Sequence, residues 1–282
     1  MKEFNEAFLE KYPDAGVILK HFRNATKEEA IWENMTRVNL ITFTRHLKEI
    51  MSPGSARTYA AMVKALLNDY REDVDIPAKK YDTVLTLKKT RTISVFLSEN
   101  EIKKIEEYVP VSKTERYVKN IFLLGCLTGA RVSDCVKFNT TNVVENHLLY
   151  VSEKTQTLVS VPKSDLTVRL IKEIETGCEP VNEANYNKII RKIAKKLKLK
   201  TDAKVVKGGK EKEGAKWQFI SSHTARRSFA TNLYLRGADL YSISRLMGHA
   251  DTQMTENYIC CGIKEPSDRV MGFFKKFNDA GE

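Results

Sequence analysis

No run of 18 apolar residues occurs in the sequence, which excludes a conventional membrane-spanning helix. The opening stretch, MKEFNEAFLEKYPDAG, carries acids and lacks the apolar core of a secretion signal, so a cytoplasmic protein is expected. Five cysteines (Cys126, Cys135, Cys178, Cys260 and Cys261) are odd in number and lack C-x-x-C spacing. They offer neither a disulfide framework nor a zinc site. The glycine-rich stretch KGGKEKEGAK at 207–216 lacks the Walker pattern, so no nucleotide cradle is expected there, only a mobile charged loop. The acids are too scattered for a two-metal centre. No cofactor and no metal are expected.

Acidic side chains are also outnumbered. Against 36 Asp and Glu stand 47 Lys and Arg, a net charge of +11. That excess favours a polyanionic partner, either nucleic acid or an acidic membrane surface. The length of 282 residues allows two domains.

Residues 1–92 read as a helical bundle. Ser52-Pro53 opens a helix with Pro at its first position. Behind it Tyr59, Met62, Val63, Leu66, Leu67 and Tyr70 form one apolar stripe at helical spacing. Arg57 and Lys64 lie seven apart on another face. Upstream, Leu40, Phe43, Leu47 and Ile50 give a second stripe with Thr36 as its cap. About 75–95 reads as a linker, with Pro77 and the cations Lys79, Lys80, Lys88, Lys89 and Arg91.

The remainder, 93–282, reads as a second domain. Ser98 to Glu101 is a capping box, and a buried helix through IFLLGCL ends at Thr128-Gly129. Arg131 stands at the start of the next helix, where an arginine needs an anionic partner. A salt bridge to a nearby acid is one way to supply it. The period then falls to two in HLLYVSEKTQTLVSVP, a strand pair with Lys154 at its turn. Residues 182–200 form a basic amphipathic helix whose seven cations, Lys192 and Lys196 among them, have no acid beside them. Such a helix suits a membrane, a calmodulin-like partner or a nucleic-acid backbone. A last helix at about 266–278 carries Val270, Phe273, Phe274 and Phe277 on one face.

The chemistry concentrates between His223 and Tyr258. His223 and Arg226 stand at i and i+3, on one face of a helix. A second helix from Asp239 to Met247, ended by Gly248, brings His249 to the same region. Two imidazoles and a guanidinium make a site for a phosphate, since arginine donates a planar fork and histidine trades protons near neutral pH. Tyr258 is a weak nucleophile that such a cluster can activate.

H-x-x-R, then L-x-G-H, then Y, preceded by T-G-A-R-V-S-D, resembles the signature of the tyrosine recombinases, the phage integrase family. The resemblance covers nearly the whole chain. It implies a mainly α fold with a small antiparallel β-sheet. An N-terminal core-binding, SAM-like bundle would precede an α+β tyrosine-recombinase catalytic domain. It implies site-specific recombination, as integration, excision or inversion of a DNA element, through a 3′-phosphotyrosyl intermediate. Arg131, Lys154, His223, Arg226, His249 and Tyr258 would then be catalytic. Tyr258 would attack the phosphate and both arginines would stabilise its charge. His223 would assist proton transfer, Lys154 would be the general acid, and His249 would donate to the phosphate. Asp134 takes the place of an acid expected to orient its neighbours. Arg57, Lys64, Lys88, Lys89, Arg91, Lys192 and Lys196 are the expected DNA-backbone contacts.

The expected partners are double-stranded DNA core sites and further copies of the chain, dimer to tetramer, joined through the C-terminal tail. Accessory DNA-bending proteins are partners the resemblance allows; a membrane is not. Without an evident arm-binding domain, a compact enzyme acting at inverted-repeat core sites is expected. Two other readings share these residues: an inactive DNA-binding relative, and a type IB topoisomerase-like enzyme. Cys260 stands where many relatives have His, and Ala130 where a larger apolar residue is common.

Overall fold

The computed structural model describes residues 2–90, 92–176, 181–199 and 201–260. The expected tail helix at about 266–278 and the candidate contact Arg91 lie outside them. The chain divides into two units. One runs to Thr92 and includes 206–211; the other holds the rest. Among the described residues no helix is long and apolar enough to cross a membrane.

The first unit holds α1 (Phe4–Lys11), α2 (Gly16–Thr26), α3 (Arg37–Ile50), α4 (Pro53–Asp69) and α5 (Tyr81–Leu85). Caps set the starts of the longest two. The Thr36 and Ser52 side chains accept from the N–H groups of Asn39 and Ser55. Most of the stripes read from the sequence face inward: Leu40, Phe43, Leu47, Val63, Leu66 and Leu67 are buried in one core, whereas Ile50, at the last position of α3, is exposed. Part of the expected linker belongs to this core instead. Ile76, Ala78, Tyr81 and Leu85 are buried, and the Tyr81 hydroxyl donates to Asn68 Oδ1 at 2.9 Å. Four apolar side chains in ten residues gain more by joining the bundle than by lining a solvated connector.

The second unit starts with α6 (Glu99–Glu107), α7 (Lys113–Thr128) and α8 (Val132–Cys135). Next come β1 (Val143–Val144), β2 (His147–Val151), β3 (Leu158–Pro162), α9 (Asp165–Glu175) and α10 (Glu183–Lys196). The hairpin β4 (Asp202–Lys207) and β5 (Lys210–Ala215) precedes α11 (Ser222–Leu235), α12 (Leu240–Leu246) and α13 (Thr252–Glu256). The mainly helical fold with small antiparallel sheets is as the sequence led one to expect. The sheet β1-β2-β3 is antiparallel, with Leu148 opposite Val161 and Tyr150 opposite Val159 on its buried face. Helix α7 is the axis of this unit; Val118, Ile121, Phe122, Leu123 and Leu124 are fully buried within it.

The stretch 207–216, expected as a mobile loop, is instead part of the β4–β5 hairpin. Its turn is Gly208-Gly209, both at positive φ (61° and 74°), the pairing that a two-residue hairpin of matching twist requires. The glycines that suggested disorder are what close the turn.

The basic helix α10 has an internal partner that its own sequence hides. Glu115 of α7 is buried and receives Lys192 at 3.2 Å and Lys196 at 3.3 Å. Its other oxygen accepts from the Tyr108 hydroxyl at 2.8 Å and the Val111 N–H at 3.2 Å. Burial pushes this carboxyl up. The Tyr108, Val111, Lys192 and Lys196 donors outweigh burial and hold its pKa at about 2, against an ordinary 4.5. Arg191 Nε donates to the Ile220 carbonyl at 2.8 Å, and Lys195 Nζ lies 5.2 Å from the Trp217 ring centroid. Four of the five cations of α10 are thus engaged inside the unit.

Because the folded pKa of Glu115 is depressed, its contribution is complete above the unfolded value and is lost as pH falls through the folded one. Glu115→Gln should cost about 1–2 kcal/mol at pH 7, after discounting for the exposed lysines. In urea unfolding the gap to the native chain should narrow between pH 4.5 and 2. Equal stability of the two at pH 7 would remove Glu115 as a structural anchor.

Candidate active site

The second unit gathers five of the six candidate catalytic residues around one hollow. Arg131, His223 and Arg226 line a cavity of ≈ 390 Å³, with Tyr117, Glu183 and Tyr186 among its walls. Tyr258 and His249 close the group. The Tyr258 ring centroid lies 5.3 Å from Arg226 Cζ, 5.4 Å from the His249 ring and 6.5 Å from the His223 ring.

Arg226 is the centre. It is 1% exposed and is the largest of the fully buried side chains. Its Nη1 donates to the Gly129 carbonyl, and its Nη2 to the Met247 carbonyl at 2.6 Å. Gly129 caps the C-terminus of α7 and Met247 that of α12. The negative ends of two helices therefore face the cation. Gly129 holds φ +68°, and a Cβ there would stand 2.4 Å from the Phe229 ring, so the turn that aims this carbonyl needs glycine. Burial and the neighbouring Arg131 push the Arg226 pKa down. A guanidinium starts so high that it stays charged. Its Nε is buried with no hydrogen-bond partner, so one donor is still unused.

His249 is fixed in one tautomer by the same cation. Arginine can only donate, so the 2.7 Å contact between Arg226 Nη2 and His249 Nε2 makes Nε2 an acceptor. The proton then sits on Nδ1, which donates to Thr255 Oγ1 at 2.9 Å. Burial, then Arg226 and Arg131, lower the His249 pKa to about 4. The role of phosphate donor, implied for His249 by the sequence resemblance, needs a proton on the atom that here accepts one.

Arg131 precedes α8 as its N-cap, and its Nη1 donates to Ser152 Oγ at 2.9 Å. Among the described residues it forms no ion pair, so a helix-start salt bridge does not explain it. Asp134, buried one turn later, accepts from the Glu153 N–H at 2.9 Å and from Ser152 Oγ at 3.5 Å. Asp134 therefore clamps the β2–β3 turn, in keeping with an orienting part. Thr155 of that turn donates to the Gly248 carbonyl at 3.3 Å, tying it to the end of α12. Lys154 lies on this turn, exposed, and among the described residues it makes no hydrogen bond or ion pair. It is the one candidate the structure does not bring against the others.

His223 stands at the exposed lip of the hollow. Its pKa is lowered, first by burial of the ring and then by Arg227, with Arg226 and Arg131 acting the same way and Glu183 opposing them. The backbone of Tyr258 is held by Thr231, whose hydroxyl donates to its carbonyl at 3.2 Å and accepts from the Cys260 N–H at 3.0 Å.

Sequence reasoning passed over Ser152, Thr255, Thr231 and Arg227. Thr231 and Arg227 were within reach, at i+8 and i+4 from His223 on one helix stripe. Nothing in the sequence flags Ser152 or Thr255. Of the expected backbone contacts, Arg57, Lys88 and Lys89 are exposed, and Lys64 donates to Thr86 Oγ1 at 2.8 Å. Lys192 and Lys196 are paired with Glu115, as described above.

Residues 95–261 match the family described as the phage integrase family. The chain belongs to that family. It is similar to tyrosine recombinase XerD of Oceanobacillus iheyensis, 25% identical over 241 residues, covering 81% of this chain and 79% of the relative. Tyrosine recombinase XerC of Rickettsia massiliae is 24% identical over 269 residues, 94% of this chain and 84% of the relative. Among solved structures, the XerH site-specific recombinase bound to a palindromic difH substrate aligns with TM-score 0.65 and 17% identity, covering 93% of this chain and 78% of that one. The Tn1549 transposon integrase in complex with a circular intermediate DNA aligns with TM-score 0.67 and 13% identity, covering 96% and 99%. These last two speak for the fold.

His249 should be neutral throughout the physiological range. In a histidine-labelled NMR titration its ring signals should show no inflection between about pH 5.5 and 8. An inflection near the ordinary histidine value would mean that Arg226 does not donate to it.

Proposed function

We propose that this chain is a site-specific DNA recombinase that cleaves and rejoins strands through a 3′-phosphotyrosyl link. The observation that carries the reading is the clustering of the site: Arg131, His223 and Arg226 line one hollow, and the Tyr258 ring lies against Arg226, His249 and His223. In the first step the Tyr258 oxygen bonds to phosphorus and loses its proton toward His223. The lowered pKa of His223 leaves it neutral and able to accept. The bond from phosphorus to the 5′-oxygen breaks, and that oxygen takes up a proton, for which Lys154 is the candidate donor. A 5′-hydroxyl of another strand then attacks phosphorus, and the phenol leaves. The phosphodiester energy is stored in the covalent link throughout.

Arg226 and Arg131 stabilise the charge that builds on the phosphoryl oxygens, Arg226 through its unused Nε and through Nη2 once that atom leaves His249. Asp134 holds the turn on which Lys154 would swing toward the leaving oxygen. Double-stranded DNA is the partner, and a net charge of +11 suits it. Phosphate contacts of this kind make binding fall steeply with salt. Self-association of DNA-bound copies, with exchange of the C-terminal tail, and help from accessory DNA-bending proteins belong to the same proposal.

Tyr258→Phe should bind DNA within about threefold of the native chain yet form no SDS-resistant adduct on nicked duplexes drawn from the DNA flanking its gene. Adducts that persist in this variant would refute Tyr258 as nucleophile. Arg226→Lys keeps a charge but loses the fork. Its cleavage rate should drop by about 100-fold or more, with a far smaller change in affinity. Parallel losses in both quantities would make Arg226 an anchor for DNA and not a stabiliser of the reacting phosphate.

A further inference from the structure

Arg227 has no part in the steps above, yet three observations converge on it. Its Cζ lies 5.9 Å from the centroid of the Tyr258 ring. Its Nε is buried and without a hydrogen-bond partner, an unexplained donor at the edge of the site. One turn along α11, Thr231 holds the backbone of Tyr258 and of Cys260. His223, Arg227 and Thr231 fall at i, i+4 and i+8, so a single stripe of α11 faces the tyrosine segment. Thr231 grips its main chain and Arg227 its ring.

We propose that Arg227 is a positioning residue of the cleavage reaction, a second guanidinium against Tyr258 that steadies the phenolic oxygen while it carries negative charge. The proposal rests on Tyr258 being the nucleophile. With Arg226 at 5.3 Å and Arg227 at 5.9 Å, the phenol is flanked by two cations. A planar guanidinium can pack against an aromatic ring while keeping its full charge, and its field extends over the whole phenol. The phenol carries most charge at two moments, when its proton departs and when phosphorus releases it in the rejoining step. A fixed cation at the ring assists both.

The same cation acts on the proton acceptor. Arg227, Arg226 and Arg131 face His223 and disfavour its charged form, whereas Glu183 favours it. Of these charged groups Arg227 acts on His223 most strongly. Its removal should therefore make His223 easier to protonate, an effect that a purely space-filling side chain would not have.

The test compares Arg227→Gln with Arg227→Lys in the full chain, after matching their thermal unfolding. In a histidine-labelled NMR titration of the free protein, Arg227→Gln should raise the His223 midpoint, and Arg227→Lys should leave it near the native value. On nicked duplexes from the flanking DNA, Arg227→Gln should lose about tenfold or more in cleavage rate with affinity unchanged within about threefold, and lysine should restore most of the rate. An unmoved His223 midpoint, or losses of rate and affinity in equal measure, overturns the proposal. Tyr258→Phe run in parallel separates the two readings. Adducts in that variant sink the nucleophile, whereas a native His223 midpoint in Arg227→Gln sinks only the part given to Arg227.

Discussion

A full positive charge at 1% exposure is the constraint around which the second unit is built. Burying a cation without compensation is prohibitive, and breaking a buried charge network typically costs several kcal/mol. Arg226 has no carboxylate to meet it among the described residues. Its compensation is two backbone carbonyls, each at the C-terminal end of a helix, and the lone pair of a histidine. The cation therefore fixes where α7 and α12 must stop. It also requires the left-handed glycine at 129, because another residue there would collide with Phe229. Neutral acceptors hold the charge in place without cancelling it, which leaves its field available to an anion.

The same logic separates what could be read from the sequence from what could not. The i, i+3 spacing of His223 and Arg226, the glycine before Arg131 and the G-H pair at 248–249 are local signals, and local signals survive without coordinates. Thr36, Ser52 and the Ser98 capping box were legible for the same reason, since a cap and its target lie three residues apart. Glu115 was not legible: its lysine partners stand 77 and 81 residues away, on a helix whose one acid, Glu183, stands at its far end. A basic helix thus looked wholly available to a polyanion when part of its charge is already engaged.

Two errors of reading share a cause. The linker that proved to contain α5 and the loop that proved to be a hairpin were both judged from Pro, Gly and Lys content. Composition records how costly order is for a segment and says nothing of the tertiary contacts that offset that cost. Tyr81 and Leu85 find a core to enter. Gly208-Gly209 has the one backbone geometry that a two-residue turn demands. Lys154 shows the opposite limit. Its place on a turn was legible, and the turn is clamped by Asp134, but a side chain at the surface reveals no target until a partner arrives.

Positive charge is concentrated at the site. Arg226 and Arg227 lie against one phenol with Arg131 in the adjoining hollow, and burial with these cations lowers the pKa of both histidines toward the neutral form. Protonating either would add a further like charge to the cluster. A neutral imidazole beside a cation is also what a proton acceptor needs to be at neutral pH. Burial first, and the neighbouring cations after it, keep these rings deprotonated, and a phosphate would relieve the part due to the cations. Relief of that kind grows as negative charge accumulates on the phosphoryl oxygens and on the phenol, so it favours the transition state over the bound substrate. Under the proposed mechanism, charge held apart by carbonyls would become rate with the nucleic acid in place.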